Sequence, residues 1–270
     1  MSVSTELAPI YLDLVKRVLL RSGFGHGGMG VDVRATNWKR HLLIPLQRVL
    51  RARGYRVVTD QSRPSDDAET MIGRQRLDNI QWCVESVISE AVPGDLIETG
   101  VWRGGATIFM RAILAAHGIS DRVVWVADSF QGFPTVERRS RAIDRGVDFT
   151  GGLGDTALSV DLETVKRNFE RYGLLDSQVR FLVGWFADTL PTAPIEQLAV
   201  LRLDGDLYES TWDALSVLYP KVSAGGYVIV DDYGTFEGCR SAVDDYRRQM
   251  RISDPIQEID DDSVFWRRRE

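Results

Sequence analysis

Residues 95–106 read DLIETGVWRGGA. A short apolar strand (Leu96, Ile97) runs into an acid, Glu98. A turn built on Gly100, Gly104 and Gly105 follows, and then a helix. Strand, glycine turn and helix in that order open many nucleotide-binding folds. The turn is nonetheless not G-x-G-x-x-G. Val101, Trp102 and Arg103 stand where a pyrophosphate wants bare backbone amides and very small residues. The turn therefore suits a ligand without a phosphate, and taken alone it is a weak motif.

Outward from it, strands and helices alternate. Residues 67–91 read as a long helix with Leu77, Ile80, Val84, Val87 and Ile88 on one face, stopped by VPGD. After the turn, 104–117 reads as a helix. Residues 122–130, 178–185, 197–206 and 225–233 read as strands. Helices fall at 159–172, 209–220 and 237–250. PIQEID and SVFWRRR close the chain as a strand pair through the acidic turn DDD. The inner strands are continuous apolar runs, as expected when both faces of a parallel sheet are covered. Together these features predict an α/β fold with a doubly wound sheet. Upstream, 5–22 carries a helical stripe at Leu7, Ile10, Leu14, Val18 and Leu19. GFGHGGMG, 23–30, holds five glycines and reads as a loop. Residues 135–157, charged and glycine-rich, form a second long loop of the kind that tends to be functional. The expected division is an N-terminal helical and lid extension over 1–66, then one α/β domain over 67–270.

Composition bounds the function. The 270 residues carry 33 Lys and Arg against 39 Asp and Glu, a net charge of −6. That argues against nucleic-acid binding, which needs a basic face. No apolar run approaches the roughly 18 residues that span a bilayer, so no membrane partner is expected. The N-terminus, acidic at Glu6 and Asp13, is a poor signal peptide. Two cysteines, Cys83 and Cys239, are too few for a disulfide framework. The expected setting is a reducing cytoplasm.

In open α/β sheets, ligands bind beyond the carboxyl ends of the strands. Those ends carry Glu98-Thr99-Gly100, Asp128-Ser129, Gly184-Trp185-Phe186 with Asp188 just beyond, Asp204-Gly205-Asp206, and Asp231-Asp232. Asp128 lies 28 residues past Gly100, the spacing of an acid that accepts from the ribose hydroxyls of an adenosine. That fits NAD and S-adenosylmethionine alike. Asp204, Asp231 and Asp232 end neighbouring strands. Three uncompensated carboxylates at one point would repel, and a divalent cation resolves the repulsion. All-oxygen ligands favour Mg²⁺. A hard cation beside a methyl donor suggests O-methylation: the cation acidifies a substrate hydroxyl, a base removes the proton, and the oxygen attacks the methyl group. Asp204 is the first candidate for the base, with Asp206 and Glu209 as alternatives.

At these residues the chain resembles a known family. TMIGRQRLDNIQWCVES, VPGDLIETGVWRGGATIF, VWVADSFQGFP, the long block from VKRNFERYG to STWDAL, and GGYVIVDDYGTFEGCRSAVDDYR closely resemble the macrocin O-methyltransferase family. The match covers about 68–270. The resemblance implies a class I methyltransferase fold, Rossmann-like, with an antiparallel C-terminal hairpin strand. It implies S-adenosyl-L-methionine and Mg²⁺ as cofactors and a sugar hydroxyl on an antibiotic glycoside as acceptor. It implies a cofactor site at Thr70, Met71, Glu98, Thr99, Gly100, Val101, Trp102, Asp128, Ser129, Phe186 and Asp188. It places the metal at Asp204, Asp231 and Asp232, with Asp204 also the base. Homodimers are common in the family, and the helix at 5–22 is a candidate interface. Residues 23–66 and 135–157 depart from the pattern and are expected to cover the site and shape the acceptor pocket. Catechol O-methyltransferases look similar but carry a lysine where Leu207 and Tyr208 stand. A phenolic acceptor, or a nucleotide-binding module without catalysis, remain the alternative readings.

Overall fold

The structure is a computed structural model that describes residues 3–21, 30–32, 56–58, 68–135, 141–145 and 158–269. The main sheet has seven strands: β3 (Asp95–Thr99), β4 (Val124–Asp128), β5 (Val179–Val183), β6 (Leu198–Leu203), β7 (Val222–Val230), β8 (Gln257–Glu258) and β9 (Val264–Arg267). Their order is β5-β4-β3-β6-β7-β9-β8. The first five strands pair in parallel, and β9 is antiparallel to both β7 and β8. The expected doubly wound sheet with a terminal hairpin is therefore present. Its strand order reverses between β3 and β6, which is where a ligand crevice opens.

Among the described residues, seven helices pack on the sheet or at its rim: α1 (Val3–Leu19), α2 (Arg74–Ser89), α3 (Gly105–Ala116), α5 (Leu162–Arg171), α6 (Phe186–Thr189), α7 (Tyr208–Leu218) and α8 (Glu237–Gln249). A single helical turn, α4 (Ala142–Arg145), lies within the 135–157 segment. Successive strand residues serve opposite cores, as the two-residue period of a strand requires. Leu96, Val200 and Ile229 join the core beneath α1, α2, α3 and α5. Ile97, Leu201 and Val228 join the core beneath α7 and α8. All six residues of β6 are buried, which accounts for its apolar reading apart from Arg202.

Three expectations shift. Helix α2 begins at Arg74, because Gly73 is extended at φ −78°, ψ 176°. Thr70 and Met71 thus lie in a loop ahead of the helix. Strand β7 ends at Val230, where the apolar run ends, so Asp231 and Asp232 sit just past it. A short parallel pair, β1 (Gly30–Asp32) with β2 (Arg56–Val58), was not expected. Three-residue strands carry too little pattern to announce themselves.

Helix α1 is apolar on two sides, and the sequence stripe picks mainly the outer one. Ala8, Leu12, Val15 and Leu19 are buried against the domain. Leu7, Ile10 and Leu14 are 55%, 68% and 56% exposed. Among the described residues, no helix is long and apolar enough to cross a membrane.

Candidate active site

The carboxyl ends of the parallel strands open into a cavity of about 850 Å³. Thr70, Met71, Glu98, Gly100, Val101, Trp102, Asp128, Ser129, Phe186, Asp188, Asp204, Asp231 and Asp232 all line it. Of the site residues named from sequence, Thr99 alone stays out of the wall. It is buried in β3, and its carbonyl accepts from the amide of Asp204 at 2.9 Å.

The turn after β3 is held from below by Asp128. One carboxylate oxygen accepts the Val101 amide at 2.8 Å, and the other accepts the Phe130 amide at 2.7 Å. Burial pushes the Asp128 carboxyl up, and those amides pull it back. Gly100 has φ 87°, and a Cβ there would stand 1.8 Å from the carbonyl oxygen of Asp204. The glycine turn and the acid loop are therefore in backbone contact. Trp102 also adopts a left-handed backbone, φ 47°, with its indole 4.1 Å from the Arg103 guanidinium. Arg103 turns outward and donates to the Ala68 carbonyl at 2.9 Å.

The acid half is organised by a residue the sequence reading passed over. Arg202, on β6, is fully buried between three carboxylates. It donates to Glu98, its direct neighbour across the β3–β6 register, to Asp231, and to Asp204 at 2.6 Å. Burial opposes the Arg202 charge, but Asp231, Asp204 and Glu98 hold its pKa well above the usual value. Arg76, from α2, donates to Asp231 at 2.6 Å and to Asp260 at 2.7 Å. Two of the three expected acids, Asp204 and Asp231, are thus compensated. Asp231 is taken up by Arg202 and Arg76. The carboxylates that converge are those of Asp204, Asp206 and Asp232, all within 4.8 Å of one another. Asp231 and Asp232, adjacent in sequence, face different partners.

That trio fits a hard cation. Its donors are all oxygens, and Oδ2 of Asp232 is buried with no hydrogen-bond partner among the described residues. Burial and Asp204 push Asp206 up to about 7, and burial with Asp206 and Asp204 pushes Asp232 up as well. A second orphaned oxygen, Oε2 of Glu98, lies in the same wall. Burial pushes Glu98 up to about 8, against the pull of Arg202.

The cavity wall holds nine carboxylates (Glu98, Asp128, Asp188, Asp204, Asp206, Glu209, Asp213, Asp231, Asp232) against two guanidiniums (Arg76, Arg202). Such a wall favours cations and repels a pyrophosphate, which counts against a dinucleotide. Among the described residues no lysine lines it, and Leu207 is buried where a catechol-type lysine would stand. His117 pairs with Glu85 far from the cavity; His26 and His41 lie outside the described residues. Arg141 and Arg145 are exposed, whereas Arg138 and Arg139 lie outside the described residues.

Arg202 had a signal: a charged residue inside an otherwise apolar strand, LAVLRL, must be paired if buried. Arg76 had none, being one of two arginines at the start of a mixed helix.

Comparison with known proteins adds to this geometry. The family model described as Macrocin-O-methyltransferase (TylF) matches residues 8–268. The chain is 62% identical over 200 residues to the 8-demethyl-8-(2,3-dimethoxy-alpha-L-rhamnosyl)-tetracenomycin-C 4'-O-methyltransferase of Streptomyces olivaceus, covering 74% of this chain and 76% of that protein. It is 56% identical over 201 residues to the mycinamicin III 3''-O-methyltransferase of Micromonospora griseorubida, covering 74% and 79%. The solved structure of the O-methyltransferase NovP superposes with a TM-score of 0.81 at 51% identity, covering 97% of this chain and all of that one. The calicheamicin methyltransferase CalS11, 18% identical with a TM-score of 0.57, covers 99% and 93% and shares the fold.

Proposed function

Because the chain belongs to the macrocin-O-methyltransferase family and is an O-methyltransferase, we propose that it methylates a deoxysugar hydroxyl on an antibiotic glycoside, using S-adenosylmethionine and Mg²⁺. The observation that carries this reading is the pair of orphaned carboxylate oxygens in one cavity, on Glu98 and Asp232. Each needs a cationic or donor partner. An α-ammonium group suits the first, beside the Gly100 turn. A divalent cation suits the second, in the acid trio.

The methyl donor supplies an activated methyl group, and the cation lowers the pKa of the hydroxyl it chelates. The chain's residues do the rest. Glu98 and the Gly100–Trp102 turn would hold the amino-acid end of the donor. Asp128 and Ser129 would take the ribose, with Thr70, Met71, Phe186 and Asp188 around the remainder. Asp204 and Asp232 would hold the cation. One Asp204 oxygen is already bonded to Arg202, whereas among the described residues no guanidinium is bonded to Asp206. The base therefore moves from Asp204 to Asp206, which shares the same point and takes the hydroxyl proton. Positioning and charge supply the rate enhancement. The expected cover over the acceptor end, from residues 1–66 and 135–157, falls mostly outside the described residues. The protein works in the cytoplasm, where its buried thiols Cys83 and Cys239 stay reduced. It pairs as a homodimer through the exposed Leu7, Ile10 and Leu14 of α1.

The test is an acceptor panel with labelled S-adenosylmethionine, with and without EDTA. Label should appear on an O-demethylated deoxysugar glycoside and vanish with EDTA. Label only on catechols, or full turnover in EDTA, sinks the reading.

A further inference from the structure

The acid loop runs Asp204-Gly205-Asp206-Leu207 and then enters α7 at Tyr208. The helix has a poor local start. Its N-cap is Leu207, whose side chain makes no capping bond. The first turn of a helix presents amides that need acceptors. Here they find one 64 residues upstream. Oδ1 of Asp144 accepts the Tyr208 amide at 2.8 Å, and Oδ2 accepts the Glu209 amide at 3.2 Å. Asp144 is wholly buried, although it sits on the single turn α4 within the glycine-rich 135–157 segment. A buried carboxylate is tolerated when amides and a helix N-terminus offset its charge.

The packing around this contact leaves no slack. A Cβ on Gly238, in the first turn of α8, would stand 2.6 Å from Oδ1 of Asp144 and 3.0 Å from the Tyr208 amide nitrogen. Two residues before Tyr208, Asp206 holds a left-handed backbone at φ 57°. A non-glycine residue keeps that conformation only when its surroundings fix it.

We propose that Asp144 is a positioning residue for the cation site: by capping α7 from a distance, it fixes the Asp204–Asp206 loop. The inference rests on the cation reading of the acid trio given above. Through Asp144 the turn α4 is tied to the start of the helix that follows the acid loop.

The experiment uses the full-length protein. Mn²⁺ binding is followed by electron paramagnetic resonance, and S-adenosylhomocysteine binding by calorimetry. Asp144→Ala should weaken Mn²⁺ binding about tenfold, the scale on which outer-shell partners act. Affinity for S-adenosylhomocysteine should fall less than that for Mn²⁺, since the Gly100 turn touches the acid loop only at Asp204 and is itself bonded to Asp128. Gly238→Ala displaces the carboxylate without removing it and should weaken Mn²⁺ in the same direction. The double variant should be no weaker than Asp144→Ala, because both lesions break one contact. Asp144→Asn keeps an acceptor oxygen and should fall between. If Asp144→Ala does not fold, Gly238→Ala and Asp144→Asn decide the matter by the same two affinities. Mn²⁺ affinity unchanged in these variants overturns the role of Asp144 and leaves the cation reading standing. A wild-type protein that takes up no Mn²⁺ overturns the cation reading and this role with it. Equal losses of Mn²⁺ and S-adenosylhomocysteine affinity also overturn it, since they mark general destabilisation.

Discussion

Arg202 concentrates the chemistry of the site into one side chain. It neutralises Glu98 and Asp231 and leaves Asp204 one free oxygen. Removing one partner of a buried ionic cluster leaves the others unpaired, at a cost of about 3–5 kcal/mol. Arg202→Met should therefore lower unfolding free energy by roughly that amount, measured by urea titration. Asp206 and Asp204 should separate in a different assay. Asp206→Asn removes the proposed base, and kcat should fall about 10²–10⁴-fold while Mn²⁺ still binds. Asp204→Asn should lose both turnover and Mn²⁺. Equal Mn²⁺ loss in the two variants would return the base to Asp204. At this scale the sequence was partly legible. Strand-end acids were visible because the sheet's geometry requires ligands there. Which of them converge was not, because Asp231 and Asp232 part company only once Arg76 and Arg202 claim the former.

Among the elements, α1 offers the sharpest contrast. Its apolar residues occupy two faces, and periodicity selects either. Leu12 is fully buried and Leu14 is exposed. Leu12→Ala should cost about 2–5 kcal/mol of stability in thermal melts. Leu14→Ala should stay within about 0.5 kcal/mol when the protein is dilute. If Leu14 lies in a dimer interface, Leu14→Glu should shift the mass seen by light scattering to that of one chain. Strand and helix types from 95 onward were readable because long apolar runs and 3.6-residue stripes leave little ambiguity. Ends were less so. Helix α2 starts late because its signal is an extended Gly73, which resembles any other glycine in sequence. The β1–β2 pair was not visible, because three residues form no period.

For the whole molecule, the acidic cavity should make stability depend on pH, and on Mg²⁺ if the proposed site binds it. Asp206 and Glu98 have carboxyls raised to about 7 and about 8. An unfolded chain releases those protons near pH 4. The fold thus binds more protons than the unfolded chain across that interval. Their contribution is full below about pH 4 and is lost as pH rises through about 7 to 8. In EDTA, the melting temperature should fall between pH 6 and 8, by about 2–4 °C for each kcal/mol lost. Added Mg²⁺ should restore it, and more strongly at pH 8 than at pH 6. A melting temperature that rises over that range in EDTA contradicts the raised carboxyls.

The pairing of Glu98 with Arg202 across adjacent strands has a consequence for folding. Strand β6 is buried along its whole length. Its apolar residues alone cannot tell one alignment against β3 from another, since a shift by one residue would still bury Leu, Ala and Val on both faces. Arg202 can. A shift of one position would turn the guanidinium toward the opposite core, among Ile97 and Val228 and away from Glu98. The same ion pair that lies in the wall of the acidic cavity therefore acts as an alignment pin for the central sheet. A chain that pairs these strands out of step buries a lone charge and is discarded by its own energetics, long before any ligand arrives.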